Sequence, residues 1–217
     1  MTSLFDELFS DEPTVASPVT GILGPDYSDV DARTVKGLLP NFTKILDLAP
    51  MGYVAGGCFK NIFNNERPKD IDVFFNDEAG FTEALTNFDA KFDKVYENDN
   101  TVCFNVNEQN VELIKSQFGG VQQMLDRFDF SIVKFAVYID NEGAMRARYH
   151  DKFFEHLLQR KLVLLNTAIL PVNTFERALK YTRYGYSLCL ESKQILIDSI
   201  RNSDGGTFAS DFYVGID

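Results

Sequence analysis

The sequence is poor in the residues that most often mark a metal cage, a disulfide scaffold or an imidazole-based site. It has three cysteines, Cys58, Cys103 and Cys189, and two histidines, His150 and His156. Three widely spaced cysteines give no disulfide framework, and with two histidines they make no zinc spacing. A reducing, cytosolic (cytoplasmic) setting suits them. No apolar run approaches the ~20 residues a membrane span needs. No basic segment followed by an apolar one opens the chain, so no secretory leader and no membrane role are expected. Positive charge is scarce as well. Lys and Arg number 21 against 32 Asp and Glu, a net charge of −11, which argues against a surface built simply to hold nucleic acid.

What is present is an ordinary globular composition, 217 residues with 45% hydrophobic and 24% charged. That is enough for one large domain or two small ones. Charge is unevenly spread. Between Gly143 and Arg183 stand eight basic residues (Arg146, Arg148, Lys152, Arg160, Lys161, Arg177, Lys180, Arg183) and three acidic ones (Asp151, Glu155, Glu176). An acidic body joined to a basic segment that could face phosphates is one reading of this contrast.

Hydrophobic spacing outlines the elements. Residues 1–30, acidic at the start and containing Ser and Pro, read as an arm. Asp31 to Leu48 has helical spacing, with Pro40 starting or breaking it. Strands are expected at Met51–Ala55, Lys69–Phe75, Lys94–Tyr96, Thr101–Val106 and Val111–Ile114, and a long one at Phe128–Tyr138. Helical segments are expected at Phe59–Phe63, Ala79–Phe88, Phe118–Met124 and Phe153–Leu158, with Leu162–Leu165 as a brief strand. A long helix is expected from an N-cap at Thr174 to about Arg201. The organisation expected is an arm at 1–30, a mixed α+β body at 31–142, a mainly helical segment at 143–202 and a tail at 203–217.

One stretch concentrates the chemistry: Val54 to Phe75, VAGGCFKNIFNNERPKDIDVFF. Strand side chains alternate between faces, so Asp70 and Asp72 point one way while Ile71 and Val73 point into a core. Two neighbouring carboxylates repel unless a cation sits between them, and hard oxygen donors of this kind suit Mg²⁺ held jointly with substrate phosphates. Upstream, Gly56 and Gly57 lack a Cβ, so backbone N–H groups there can approach a phosphate. Glu112, between Val111 and Leu113, is a third carboxylate on a strand pattern.

Gly56-Gly57-Cys58-Phe59-Lys60-Asn61 followed by Asp70-Ile71-Asp72 resembles the Gly-Gly-x-Val-Arg-Asp and Asp-Ile-Asp motifs of the nucleotidyltransferase superfamily that shares the DNA polymerase β palm. It is most similar to the head of poly(A) polymerases and CCA-adding tRNA nucleotidyltransferases. Arg127-Phe128-Asp129-Phe130-Ser131-Ile132 resembles the family's Arg-Arg-Asp-Phe-Thr-Ile motif. Arg177-Ala178-Leu179-Lys180-Tyr181 resembles the Arg-Ala-Leu-Arg-Phe helix of its neck. Asn61, Phe128 and Pro171–Thr174 depart from the pattern, the last lacking the family's base-reading signature.

The resemblance implies an α+β nucleotidyltransferase palm followed by a short helical neck. It implies two Mg²⁺ ions on Asp70, Asp72 and Glu112, and an NTP donor (ATP or CTP) near Gly56, Gly57, Lys60, Arg127, Asp129 and Arg177. The reaction implied is transfer of a nucleoside monophosphate to a hydroxyl, most simply an RNA or tRNA 3′ end reached by the basic neck. A second reading is a minimal enzyme of toxin or phage-conflict type that modifies a protein, a small molecule or host tRNA. A third is a non-catalytic palm that binds nucleotide or RNA. The resemblance covers about Met51 to Leu190, so CCA addition by the usual architecture would require a homo-oligomer or a partner protein to grip tRNA.

Overall fold

A computed structural model describes residues 26–35, 40–165 and 170–203. The arm before residue 26, the expected helical residues 36–39 and the tail after Ser203 lie outside the described residues. The strands are β1 (Tyr27–Asp31), β2 (Gly52–Ala55), β3 (Asp70–Phe75), β4 (Lys94–Glu97), β5 (Thr101–Val106), β6 (Gln109–Phe118), β7 (Phe135–Ile139) and β8 (Met145–His150). They form one eight-stranded mixed sheet in the order β1-β8-β7-β2-β3-β6-β5-β4. Within this sheet, among the described residues, only β3 and β6 pair parallel. The helices are α1 (Pro40–Leu48), α2 (Gly57–Phe63), α3 (Glu78–Asp89), α4 (Val121–Arg127), α5 (Phe153–Leu158), α6 (Pro171–Arg183) and α7 (Leu190–Asn202). A parallel two-residue pairing of β9 (Lys161–Leu162) with β10 (Ser187–Leu188) joins the last elements.

Alternation along the strands divides the sheet into two faces. Val54, Ile71, Val73, Phe75, Val102, Phe104, Val111, Leu113, Phe135 and Val137 belong to the large core, with Phe42, Leu46, Phe81, Phe88 and Phe153 from the helices. Tyr53, Ala55, Phe74, Ile114 and Ala136 point the other way and pack with Met124 and Leu125 of α4. Asp70 and Asp72 share this second face. The caps are local. The Asp77 carboxylate accepts from the Gly80 N–H at 2.9 Å and starts α3, and Pro40 opens α1, as a fixed φ permits in a first turn.

Five expectations need correction. Tyr27–Val30, read as arm, and Asp31, read as the start of a helical stretch, form a strand on the sheet edge. Met145–His150, read as the start of the helical segment, is a strand pairing with β7 and β1, so the division expected at 142/143 falls in a hairpin turn. The strand expected over Phe128–Tyr138 is interrupted by a 3₁₀ turn at Ser131–Val133. Just after that turn Lys134 is buried, and its Nζ donates to the Leu125 carbonyl at 2.6 Å, closing the end of α4. β6 runs on to Phe118, and the helix expected from there starts only at Val121, after Gly119 at φ +151°. The long helix expected from Thr174 to Arg201 is two helices, broken where Gly185 takes φ +83°. Leu170, not Thr174, precedes the first of them.

Candidate active site

Strand pairing assembles a row of polar residues on the second face. The parallel register sets Asp72 opposite Glu112 and Asp70 opposite Asn110. On the next strand Cys103 stands opposite Glu112. The edge strand β4 then shifts register between Lys94 and Tyr96, which places Tyr96 opposite Cys103. An unbulged continuation from the Lys94–Phe104 pair would bring Val95 there instead; an extra residue re-aims the side chains that follow it. The row Asp72, Glu112, Cys103, Tyr96 therefore spans four strands on one face. Its end is closed by a hydrogen bond: the Tyr96 hydroxyl donates to Glu112 Oε1. Burial, reinforced by that carboxylate, raises the Tyr96 pKa. The Cys103 thiol is pushed up to about 11, by burial first and Glu112 second.

On the other side of Asp72 lies the glycine turn. Gly56 has φ +97°, a conformation glycine adopts without strain, and its N–H donates to the Phe135 carbonyl at 3.1 Å. A Cβ on Gly56 would lie 3.7 Å from Asp72 Oδ2 and 3.7 Å from the Phe128 ring; one on Gly57 would lie 3.8 Å from the Tyr181 hydroxyl. The turn thus abuts a carboxylate, an aromatic ring and a phenol. Burial is the main cause of a raised pKa at Tyr181, with Asp129 and Asp72 adding to it, so its hydroxyl is a neutral donor near pH 7.

The remaining expected residues divide. Arg177 and Asp129 come together, Arg177 Nε donating to Asp129 Oδ2 at 2.6 Å, and this pair fastens α6 to the segment after α4. Arg127 donates to the Phe118 carbonyl at 3.3 Å, at the end of β6. Lys60 is not placed with the carboxylates. It is 4% exposed, and its ammonium lies 5.3 Å from the centre of the Tyr184 ring and 5.9 Å from those of Tyr181 and Tyr186. Burial lowers its pKa. Its cationic charge is spent on a tyrosine cage that ties α2 to the C-terminal helices. Asn61, where the resembled motif has an acid, donates to Glu66 Oε2 at 2.9 Å and closes the following loop.

The basic segment is also largely committed. Arg146 and Arg148 both bind Asp29 of β1, at 3.0 and 2.7 Å. Lys152 pairs with Glu155, and Arg160 lies over the Tyr186 ring at 5.1 Å. His156 Nδ1 is 2.7 Å from Ser131 Oγ, and His150 Nδ1 accepts from the Lys152 N–H at 3.0 Å.

Sequence reasoning missed two residues at the candidate site: Tyr96 and Tyr181. Phe128 reads as core and does pack against it, while its half-buried ring also borders the glycine turn. Tyr181 could have been found, because it puts a hydroxyl where the resembled neck helix has phenylalanine. Among the described residues, no three His, Cys, Asp or Glu side chains are gathered into a ready cation cage. Among the described residues, too, no helix is long and apolar enough to cross a membrane.

Known proteins match in two ways. A family described as "Gabija anti-defense 2 family protein" matches residues 33–160. A curated relative, "Gabija anti-defense 2" of Bacillus phage SPbetaL7, is 25% identical over 142 residues, covering 62% of this chain and 34% of its own length. The chain thus spans about a third of that relative. Among solved structures, the Thermotoga maritima CCA-adding enzyme complexed with tRNA aligns with a TM-score of 0.58 at 15% identity, over 82% of this chain and 46% of that one. A CCA-adding enzyme complexed with ATP aligns at 0.62 and 15%, over 82% and 47%. A tRNA nucleotidyltransferase with a primer tRNA and an incoming ATP analogue aligns at 0.54 and 16%, over 72% and 50%. These likenesses establish the fold, a nucleotidyltransferase palm of mixed twisted sheet backed by helices.

Proposed function

The chain belongs to the Gabija anti-defense 2 family, and we propose that it is a Mg²⁺-dependent nucleotidyltransferase acting in phage–host conflict, inside the host cytoplasm. It would move a nucleoside monophosphate from an NTP to a hydroxyl acceptor and release pyrophosphate. The observation that carries this reading is the register that sets Asp72 opposite Glu112, with Asp70 one pleat away and the Gly56 turn against Asp72.

The donor set fits a hard divalent ion, since all three groups are carboxylates. Such an ion, when bound, would help activate the attacking hydroxyl and stabilise the leaving pyrophosphate. Asp70, Asp72 and Glu112 would hold it. The side-chain-free surface of Gly56 and Gly57 would admit the triphosphate close to the backbone. The neutral Tyr181 hydroxyl would donate to a phosphate oxygen, and the Phe128 ring would offer a flat face beside it. The Arg177–Asp129 pair would keep Tyr181 in place.

The ion pairing supports a protein or small-molecule acceptor over RNA. Arg146, Arg148, Lys152 and Arg177 are engaged by carboxylates, which takes half of the segment's eight basic residues away from a polynucleotide backbone. The test is thermal unfolding with each NTP, with Mg²⁺ or EDTA, on the wild type and Asp70→Ala, followed by labelled NTP with separated protein and RNA pools. A Mg²⁺-dependent rise in stability with one or more NTPs, lost in Asp70→Ala, is expected. No rise with any NTP would overturn nucleotide binding at this site, and label confined to RNA would overturn the acceptor class.

A further inference from the structure

Tyr96 carries a hydroxyl that the fold itself delivers to the carboxylate row. Three observations converge on it. The bulge in β4 turns its side chain, rather than that of Val95, onto the face of Asp70, Asp72 and Glu112. Its hydroxyl donates directly to the Glu112 carboxylate. It is 36% exposed on an edge strand whose four residues are all exposed, so the ring is open to solvent and to a bound nucleotide. Glu112 in turn faces Asp72 across the β3–β6 pair, and Asp72 borders the glycine turn. The line therefore runs from a hydroxyl, through the carboxylates, to the place where a triphosphate would lie.

A hydroxyl held at a carboxylate beside the phosphates stands where an acceptor must stand. We infer that Tyr96 is a site of self-nucleotidylation. This rests on the nucleotidyltransferase reading above. Tyr96 Oη attacks the α-phosphorus of the bound NTP. A phosphate ester bond forms between Tyr96 Oη and that phosphorus, and the bond from the α-phosphorus to the oxygen bridging to the β-phosphorus breaks. Pyrophosphate leaves with the bonding pair, and the phenolic proton passes along the existing hydrogen bond to Glu112. The product keeps a nucleoside monophosphate on the edge strand, over the third carboxylate, where it blocks further turnover. The modification thus limits the number of transfers a molecule can carry out.

The test incubates the full chain with α-labelled ATP, CTP, GTP or UTP and Mg²⁺, followed by peptide mapping. Label is expected on the peptide containing Tyr96, at a first-order rate independent of protein concentration, because donor and acceptor sit in one molecule. It should fall to background in Tyr96→Phe, whose unfolding temperature should match the wild type, since the ring packs at an exposed edge. It should also vanish in Asp70→Asn/Asp72→Asn. Label that persists in Tyr96→Phe, or a rate that rises with protein concentration, overturns the inference. So does an unlabelled chain that transfers nucleotide to an external acceptor, a result that leaves the nucleotidyltransferase reading standing. An unlabelled chain with no transfer and no NTP-dependent stabilisation overturns both.

Discussion

Asp29→Ala is the sharpest test of how the sheet edge is held. The Asp29 side chain is 4% exposed and accepts from Arg146 Nε at 3.0 Å, Arg148 Nε at 2.9 Å and the Tyr138 hydroxyl at 2.5 Å. The two arginine side chains are only 11% and 21% exposed. Removing the carboxylate leaves two guanidinium groups with little water, Arg146 with only Asp31 across the β1–β8 pair as a counter-charge. Breaking a buried pair costs about 3–5 kcal/mol, and the partial exposure of Arg148 argues for the low end. At roughly 2–4 °C per kcal/mol for a chain of this size, about 3 kcal/mol lowers the unfolding midpoint by roughly 6–12 °C. Urea unfolding should show the same loss as a lower midpoint with an unchanged slope. The companion variant replaces the whole cluster, Asp29→Leu with Arg146→Met and Arg148→Met. It should lie within about 1 kcal/mol of wild type or above it, because no charge is left to desolvate. An Asp29→Ala midpoint within about 2 °C of wild type, or a triple variant as unstable as the single one, would refute the reasoning.

Three further outcomes follow from other positions. Burial pushes the Lys134 ammonium down from 10.5 to about 8, so between those values the unfolded chain binds the extra proton. The stability difference between wild type and Lys134→Met should therefore shift in favour of wild type as pH rises from about 8 to about 9.5, read by urea unfolding at each pH. Gly185 has φ +83°, and a Cβ placed there would meet nothing within 4 Å, so Gly185→Ala should cost about 1–2 kcal/mol from backbone strain alone, checked by thermal unfolding. Lys60→Ala should cost roughly 2–5 kcal/mol by emptying the tyrosine cage. Lys60→Met keeps the aliphatic stem and should lose less. A weakened NTP-dependent thermal shift in Lys60→Met would show that this cation reaches the phosphates after all.

Much of the site could be read in the residues because it depends on local geometry. Asp70-Ile71-Asp72 fixes two carboxylates on one face of any strand, and Gly56-Gly57 marks a turn wherever it falls. What escaped depends on distant pairing. Tyr96 joins the site through a one-residue shift against Phe104 and Cys103, and nothing in Lys94-Val95-Tyr96-Glu97 announces a bulge. Met145-Arg146-Ala147-Arg148 alternates as a strand does, but its arginines read as part of a basic segment that could face phosphates until Asp29 is placed beside them. The family's base-reading signature is absent from Pro171–Thr174, whereas the aromatic neighbours of the glycine turn, Phe128 and Tyr181, come from elements far from it in sequence. Lys60 shows the reverse case: motif position points to phosphate, and tertiary packing sets the side chain among three tyrosines.

The tyrosine cage has a thermodynamic corollary. Lys60 belongs to α2, the helix that begins at the glycine turn, whereas the rings around it come from the end of α6 and the loop that follows. Any excursion that peels α6 away uncovers a desolvated cation and slackens the turn at the same moment, so the two regions open as one cooperative unit. Linkage is reciprocal. A ligand that rigidifies Gly56 and Gly57 must therefore slow amide exchange at Tyr181, Tyr184 and Tyr186, and the distal helices become a readout of whether the turn is filled.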